Sequence, residues 1–216
     1  AQAVEQHTSA DLEGLVITRY GHAVECQQIK IVEAGHPVPD QQGMRAAASM
    51  LEISSGLTEK DSVLCLISGG GSSLLSLPAP GLSLEDKQGV TSKLLKCGAT
   101  IHEINCVRKH LSAIKGGRLA VACSPAHLLT LTISDVPFDD LSVIASGPTV
   151  ADPSTFEDAL RILSKHNIST PKSVLNHLEN AKKPGNDAFR KNHLIIGKQL
   201  LDRFARSLQV IETCKL

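Results

Sequence analysis

Short apolar runs alternate along most of this chain with longer stretches of helical spacing, the pattern that builds a parallel β-sheet with helices on its faces. Leu15-Val16-Ile17-Thr18 and Ile29-Lys30-Ile31-Val32 read as short strands, and Val63-Leu64-Cys65-Leu66-Ile67 and Leu128-Leu129-Thr130-Leu131-Thr132-Ile133 as central ones. Gln41 to Ser54 is expected to be a helix capped by Asp40, with Met44, Ala47, Ala48 and Leu51 on one side. Ser83 opens the next helix, with Glu85 and Asp86 in its first turn, and Gly98 stops it. A third helical stretch runs from His102 to Ile114, and Gly116-Gly117 separates it from a short run at Arg118 to Cys123. Ser154-Thr155-Phe156-Glu157 reads as a capping box opening a helix through Lys165, and His193 to Ile196 as a last strand. The polar stretch 168–192, with Pro171, Pro184 and Gly185, is the best linker candidate.

Ligands of open α/β sheets gather beyond the carboxyl ends of the strands. Two segments fall there, Ser68-Gly69-Gly70-Gly71-Ser72-Ser73 and Ser134-Asp135. Three glycines let successive backbone N–H groups turn toward one phosphate or carboxylate, and the serines offer further donors. The same letters also suit a plain turn. Leu74 spoils both the dinucleotide fingerprint and the nucleophile elbow, and no Gly-Lys-Ser/Thr follows to make a Walker A loop.

Charge narrows the partners. The 216 residues hold 22 Lys plus Arg against 22 Asp plus Glu, so no global field favours nucleic acid or a membrane surface. Tyr20, Phe138, Phe156, Phe189 and Phe204 leave little for stacking bases. No run is long and apolar enough to span a membrane. Six scattered cysteines without a Cys-x-x-Cys point to reduced thiols, in the cytoplasm or, after removal of a targeting segment, the mitochondrial matrix. His102, Cys106 and His110 form the nearest approach to a metal cluster and read better as ordinary helix residues.

Local cationic density is another matter. Asn105, Arg108, Lys109, His110, Lys115 and Arg118 crowd a short run, and Asn105, Arg108 and Lys109 share a helix face. That suits a small anionic ligand or a solvated face. Asp135, just past a central strand, is placed to bind Mg²⁺, take a hydroxyl proton or cap a turn. The loop Val143-Ile144-Ala145-Ser146-Gly147-Pro148-Thr149 ends in hydroxyls around a Gly-Pro turn that can close over a phosphate.

Gly35-His36-Pro37-Val38-Pro39-Asp40, Ser68 to Ser73, Asn105 to Arg118, and Ser134-Asp135-Val136 with Val143 to Asp152 resemble, in order and spacing, the large domain of the glycerate kinases that phosphorylate the 2-hydroxyl. Members of that family have also been labelled hydroxypyruvate reductases. The resemblance covers residues 12 to 197. It implies an α/β, Rossmann-like, mostly parallel sheet with helices on both faces, incomplete relative to the family. It further implies ATP-dependent, Mg²⁺-assisted phosphorylation of D-glycerate to 2-phosphoglycerate in a cleft against a smaller C-terminal domain, and leaves a homodimer open. Ser68, Gly69, Gly70, Gly71, Ser72, Ser73, Asn105, Ser146, Gly147 and Thr149 would bind substrate or phosphate. Arg108, Lys109 and Lys115 would orient and neutralise the anions, and Asp135 would serve as metal ligand or base. Residues 1–197 correspond to the large domain without the family's first strand and its lysine turn. On this resemblance residues 198–216 are expected to form a divergent tail with the small domain absent, and Phe138 stands where the family usually has glycine. A glycerate kinase or a fragment of one, a noncatalytic anion-binding or oligomerisation module, and an NAD(P)H-dependent hydroxypyruvate reductase are the activities to separate.

Overall fold

The structure, a computed structural model, describes residues 1–134, 136 and 139–181. Asp135, Phe138, the strand expected at His193–Ile196 and the tail 198–216 lie outside the described residues. Helix α1 (Gln2–His7) leads into β1 (Gly14–Arg19), β2 (Ile29–Ala34), α2 (Gln41–Ile53), β3 (Ser62–Ile67) and the single turn α3 (Gly71–Leu74). Then follow α4 (Leu84–Lys96), α5 (Ile101–His110), α6 (Arg118–Ala122), β4 (His127–Thr132), a 3₁₀ turn Ile144–Ser146, α7 (Phe156–Lys165) and α8 (Lys172–Asn180).

The four strands lie where alternation placed them, and both ladders are parallel. β1 pairs with β2 from Gly14↔Ile29 to Arg19↔Ala34, and β3 with β4 from Ser62↔His127 to Ile67↔Thr132. They form two separate two-stranded sheets. A Cβ built on Gly70, beyond the carboxyl end of β3, would stand 2.9 Å from the ring of His36, beyond the carboxyl end of β2. Both sheets therefore present their carboxyl ends to one side.

Capping explains where the helices start. The Asp40 carboxylate accepts from the Gly43 amide at 2.9 Å, and reciprocal capping boxes open α4 at Ser83 and α5 at Thr100. At α7 the box is shifted by one residue from the expected Ser154–Glu157. Thr155 and Asp158 make it, because the Ser154 hydroxyl is held by Asp152 at 2.7 Å. Helix α5 ends at His110, not Ile114: Ser112 leaves the helix to bridge Pro78. The proposed linker is also partly structured. Residues 172–180 form α8, whose Val174 and Leu178 are buried, so proline at 171 marks a helix start rather than a spacer.

Burial divides into two cores. One is helical, joining Val90 and Leu94 of α4, Ile104 and Val107 of α5, Leu163 of α7 and Leu178 of α8. The other sets Ala47, Leu75, Ile114, Leu119 and Cys123 against Leu128, with Val63 and Cys65 packed on it. On α2 the buried positions are Gly43, Ala46 and Ala47, so the inner stripe is rotated from the expected one and Met44, Ala48 and Leu51 are half-buried. The opposite face of β3–β4 leaves Leu66, Leu131 and Ile133 exposed.

Candidate active site

The glycine loop turns at the carboxyl end of β3, as alternation and the Gly-rich run predict. Gly70 adopts φ +83°, where only glycine sits without strain, and Ser73 and Leu74 donate their amides back to its carbonyl. The amides of Gly69, Gly70, Gly71 and Ser72 make no hydrogen bond among the described residues. Side chains are less available than the sequence suggests. The Ser73 hydroxyl donates to the Gly70 carbonyl at 3.0 Å. Ser146 Oγ donates to Asn105 Oδ1 at 3.1 Å and so accepts from Ser72 Oγ at 3.0 Å. The cradle therefore offers backbone donors, with the hydroxyls of Ser72 and Ser73 used to hold its shape.

The second wall is the segment 143–149, buried throughout. Ala145 and Ser146 both take positive φ (51° and 62°), a strained choice for residues with a Cβ. Lys115 holds them there. Its side chain is 1% exposed, and its ammonium reaches the Ala145 carbonyl at 2.9 Å. Gly71 completes the fit, because a Cβ there would lie 2.9 Å from that of Ala145. Ser146 has 0% exposure and Thr149 4%, so both sit behind the surface, with Gly147 between them at φ +57°.

The cationic run is not a solvated face. Asn105 and Lys109 are buried and Arg108 is half-buried. Lys109 Nζ pairs with Asp152 at 3.3 Å, and His110 Nε2 lies 3.5 Å from the same carboxylate. Arg118 donates to the carbonyls of Lys109 and Lys115 and ties the turn after α5 together. Arg108, one turn beyond Asn105 on the same face, makes no hydrogen bond or ion pair among the described residues.

One residue was missed. Lys87, on α4, is 6% exposed and donates to the Leu77 carbonyl at 3.2 Å. Burial, reinforced by nearby Arg108, lowers its pKa to about 7. Burial, with Lys87 and Arg108 beside it, likewise drives the Lys115 amine well below the usual lysine range, and burial lowers Arg108. No carboxylate pairs with any of the three among the described residues. A lysine on an otherwise ordinary amphipathic helix carries no sequence signal of this. Nor do His102, Cys106 and His110 gather: no group of three His, Cys, Asp or Glu able to hold a metal forms among the described residues.

An amide-lined loop beyond a strand's carboxyl end, in an α/β unit with basic side chains that lack carboxylate partners, is an arrangement suited to holding an anion. The chain belongs to the family described as Domain of unknown function (DUF4147), whose model matches residues 1–179. It is 53% identical over 163 residues to the D-glycerate 2-kinase of Thermotoga maritima, covering 75% of this chain and 39% of that protein. It is 57% identical over 164 residues to an Agrobacterium vitis protein with a provisional hydroxypyruvate reductase name, 76% and 37% of the two. Among solved structures, the glycerate kinase of Thermotoga maritima matches with a TM-score of 0.76 at 50% identity, over 81% of this chain and 43% of that one. The chain thus spans well under half the length of these relatives.

Proposed function

We propose that this chain forms one wall of a site at which ATP phosphorylates the 2-hydroxyl of D-glycerate, giving 2-phosphoglycerate. The observation carrying this reading is a glycine loop with four unused amides, together with three basic groups, Lys87, Arg108 and Lys115, that have no paired carboxylate among the described residues. Phosphoryl transfer rests on positioning and charge neutralisation, which is what such a wall provides. The amides of Gly69 to Ser72 and the half-buried Arg108 hold phosphate or carboxylate oxygens. Asn105 and Lys115 act behind them, keeping Ser146 and Ala145 in place. Lys109 is occupied by Asp152 and orients the end of α5. The loop's shape depends on glycine, because a Cβ at Gly70 would stand 2.9 Å from the His36 ring and one at Gly71 2.9 Å from the Ala145 Cβ. Mg²⁺ at phosphoryl-transfer sites is held by one or two carboxylates together with substrate phosphates, and among the described residues no group of three His, Cys, Asp or Glu gathers to hold a metal by itself. Asp135 keeps the role of metal ligand or base that the family resemblance implies. Among the described residues no helix is long and apolar enough to cross a membrane, and the free thiols of Cys26, Cys65, Cys97, Cys106 and Cys123 suit a reducing compartment, the cytoplasm or the mitochondrial matrix.

The chain incubated with D-glycerate, ATP and Mg²⁺ is expected to bind ATP and to form phosphoglycerate at a reduced rate at most, since it supplies one wall of the cleft, and Gly70→Ala is expected to weaken that binding. Oxidation of NADH by hydroxypyruvate would point to the reductase instead. Failure to bind ATP, with neither reaction seen, would leave a noncatalytic module.

A further inference from the structure

The loop 35–40, between β2 and α2, sets an imidazole against the glycine loop. A Cβ built on Gly70 would stand 2.9 Å from both Cδ2 and Nε2 of His36 and 3.8 Å from Cε1, so the Cδ2–Nε2 edge of the ring faces the Gly70 backbone. The ring is exposed and makes no hydrogen bond, ion pair or ring contact among the described residues. It lines the same groove as Ser68, Gly69, Gly70 and Gly71. Four amides of the glycine loop likewise lack partners there, so unused polar groups from two loops stand side by side. Several contacts fix the loop that carries the ring. Asp40 accepts from the Gly43 amide at 2.9 Å and the Tyr20 hydroxyl at 2.7 Å, and Gln88 of α4 donates to the Pro39 carbonyl at 2.6 Å. Gly35 is enclosed as tightly: a Cβ there would lie 2.5 Å from the Val38 carbonyl oxygen and 3.1 Å from the Asp40 carboxylate. A side chain on a loop tied at so many points meets a ligand with little ordering left to lose.

A ring nitrogen can donate or accept, so its neighbours decide its part. The unused amides of the glycine loop are all donors, and what they suit is an acceptor; an imidazole beside them meets the same acceptor with an N–H. We propose that His36 is a further binding residue of this site, donating from Nε2 to an oxygen of the anion that the amides of Gly69 to Ser72 hold, a phosphate of ATP or the carboxylate of glycerate. The identity of the anion rests on the kinase reading; the contact rests on the placement of the ring. It gives the segment Gly35-His36-Pro37-Val38-Pro39-Asp40 a part in the site: Gly35 and Asp40 shape the loop, and His36 is what the loop delivers.

The test titrates ATP, D-glycerate and inorganic phosphate into the native chain, His36→Leu and His36→Gln by calorimetry, and follows the ring nitrogen resonances of His36 in the native chain. Leucine keeps an apolar side chain against Gly70 but has no donor, and should weaken ATP or D-glycerate by about tenfold, the loss expected for a hydrogen bond to a charged group. Glutamine places an amide N–H near the position of Nε2 and should recover most of that loss. Saturation with the bound probe should shift the Nε2 resonance, a readout that a purely structural role for the ring would not move. Unchanged affinity in His36→Leu, an equal loss in both variants, or a ring signal indifferent to saturating probe would each overturn the contact. The kinase reading fails separately. If inorganic phosphate binds and depends on His36 while ATP and D-glycerate do not bind, the contact stands and the reading falls. If ATP and D-glycerate bind equally well without the ring, the reading stands and the contact falls; binding of no probe would overturn both.

Discussion

Lys87→Met should change how stability depends on pH, and the sign follows from burial. The side chain is 6% exposed and its folded-state pKa is lowered to about 7, chiefly by desolvation. In the unfolded chain it returns to about 10.4. Below the folded value both states carry the proton and the burial penalty is fully present. As pH rises above 7 the folded amine is neutral while the unfolded one still binds a proton, so the native state gains stability. Integrated between about pH 7 and 8.5, one such lysine contributes ~1.5 kcal/mol of rising stability. The variant lacks this rise, while Lys115 is present in both chains and cancels to first order. Methionine leaves no orphaned acceptor, because the Leu77 carbonyl keeps the Ala113 amide at 3.1 Å and the Ser112 hydroxyl at 3.0 Å. The window must stop near pH 8.5, where free thiols begin to titrate. Burial raises the Cys65, Cys106 and Cys123 thiols, which makes them destabilise the fold as pH climbs further. Urea unfolding in reducing buffer, repeated across this window for both chains, measures the difference. Parallel stability curves would refute the burial argument for Lys87.

Three further outcomes are expected. Asp152→Asn removes a carboxylate 3% exposed between Lys109 and His110, and should cost about 3 kcal/mol, read as a drop in Tm. Gly71→Ala pushes a methyl to 2.9 Å from the Ala145 Cβ; it should cost ~1–3 kcal/mol and weaken ATP binding, with Ala145→Gly in the same chain restoring part of both. Thr155→Ala should cost about 1 kcal/mol by chemical denaturation, whereas Glu157→Ala should cost far less, since Asp158 and not Glu157 closes the capping box.

Strands, helix starts and the glycine loop were legible because each depends on a local signal: alternation for β3 and β4, Ser83 with Asp86 for α4, three glycines for the turn. Errors fell where a tertiary contact overrode that signal. Ser154 looks as good a cap as Thr155 until Asp152 takes its hydroxyl. Helix α5 has the periodicity to continue past His110, but Ser112 is drawn to Pro78. Residues 172–180 look like linker from their polarity, yet a pair of apolar residues four apart is enough to dock α8. At the site, the cationic run was visible but its division of labour was not. Nothing in the letters says that Lys109 would be paired, Lys115 buried under a carbonyl, or Lys87 brought in from a different helix.

The chain Ser72–Ser146–Asn105 runs from the glycine loop, beside the strand-facing core, to α5, a member of the helical core. Gln88 on α4 also donates to the Pro39 carbonyl at 2.6 Å, so polar bonds tie the two cores together at more than one point. A ligand that grips both the loop amides and Arg108 would couple them. Its occupancy would then be visible far from the pocket, as slower amide exchange in α7 and α8, which pack on α5.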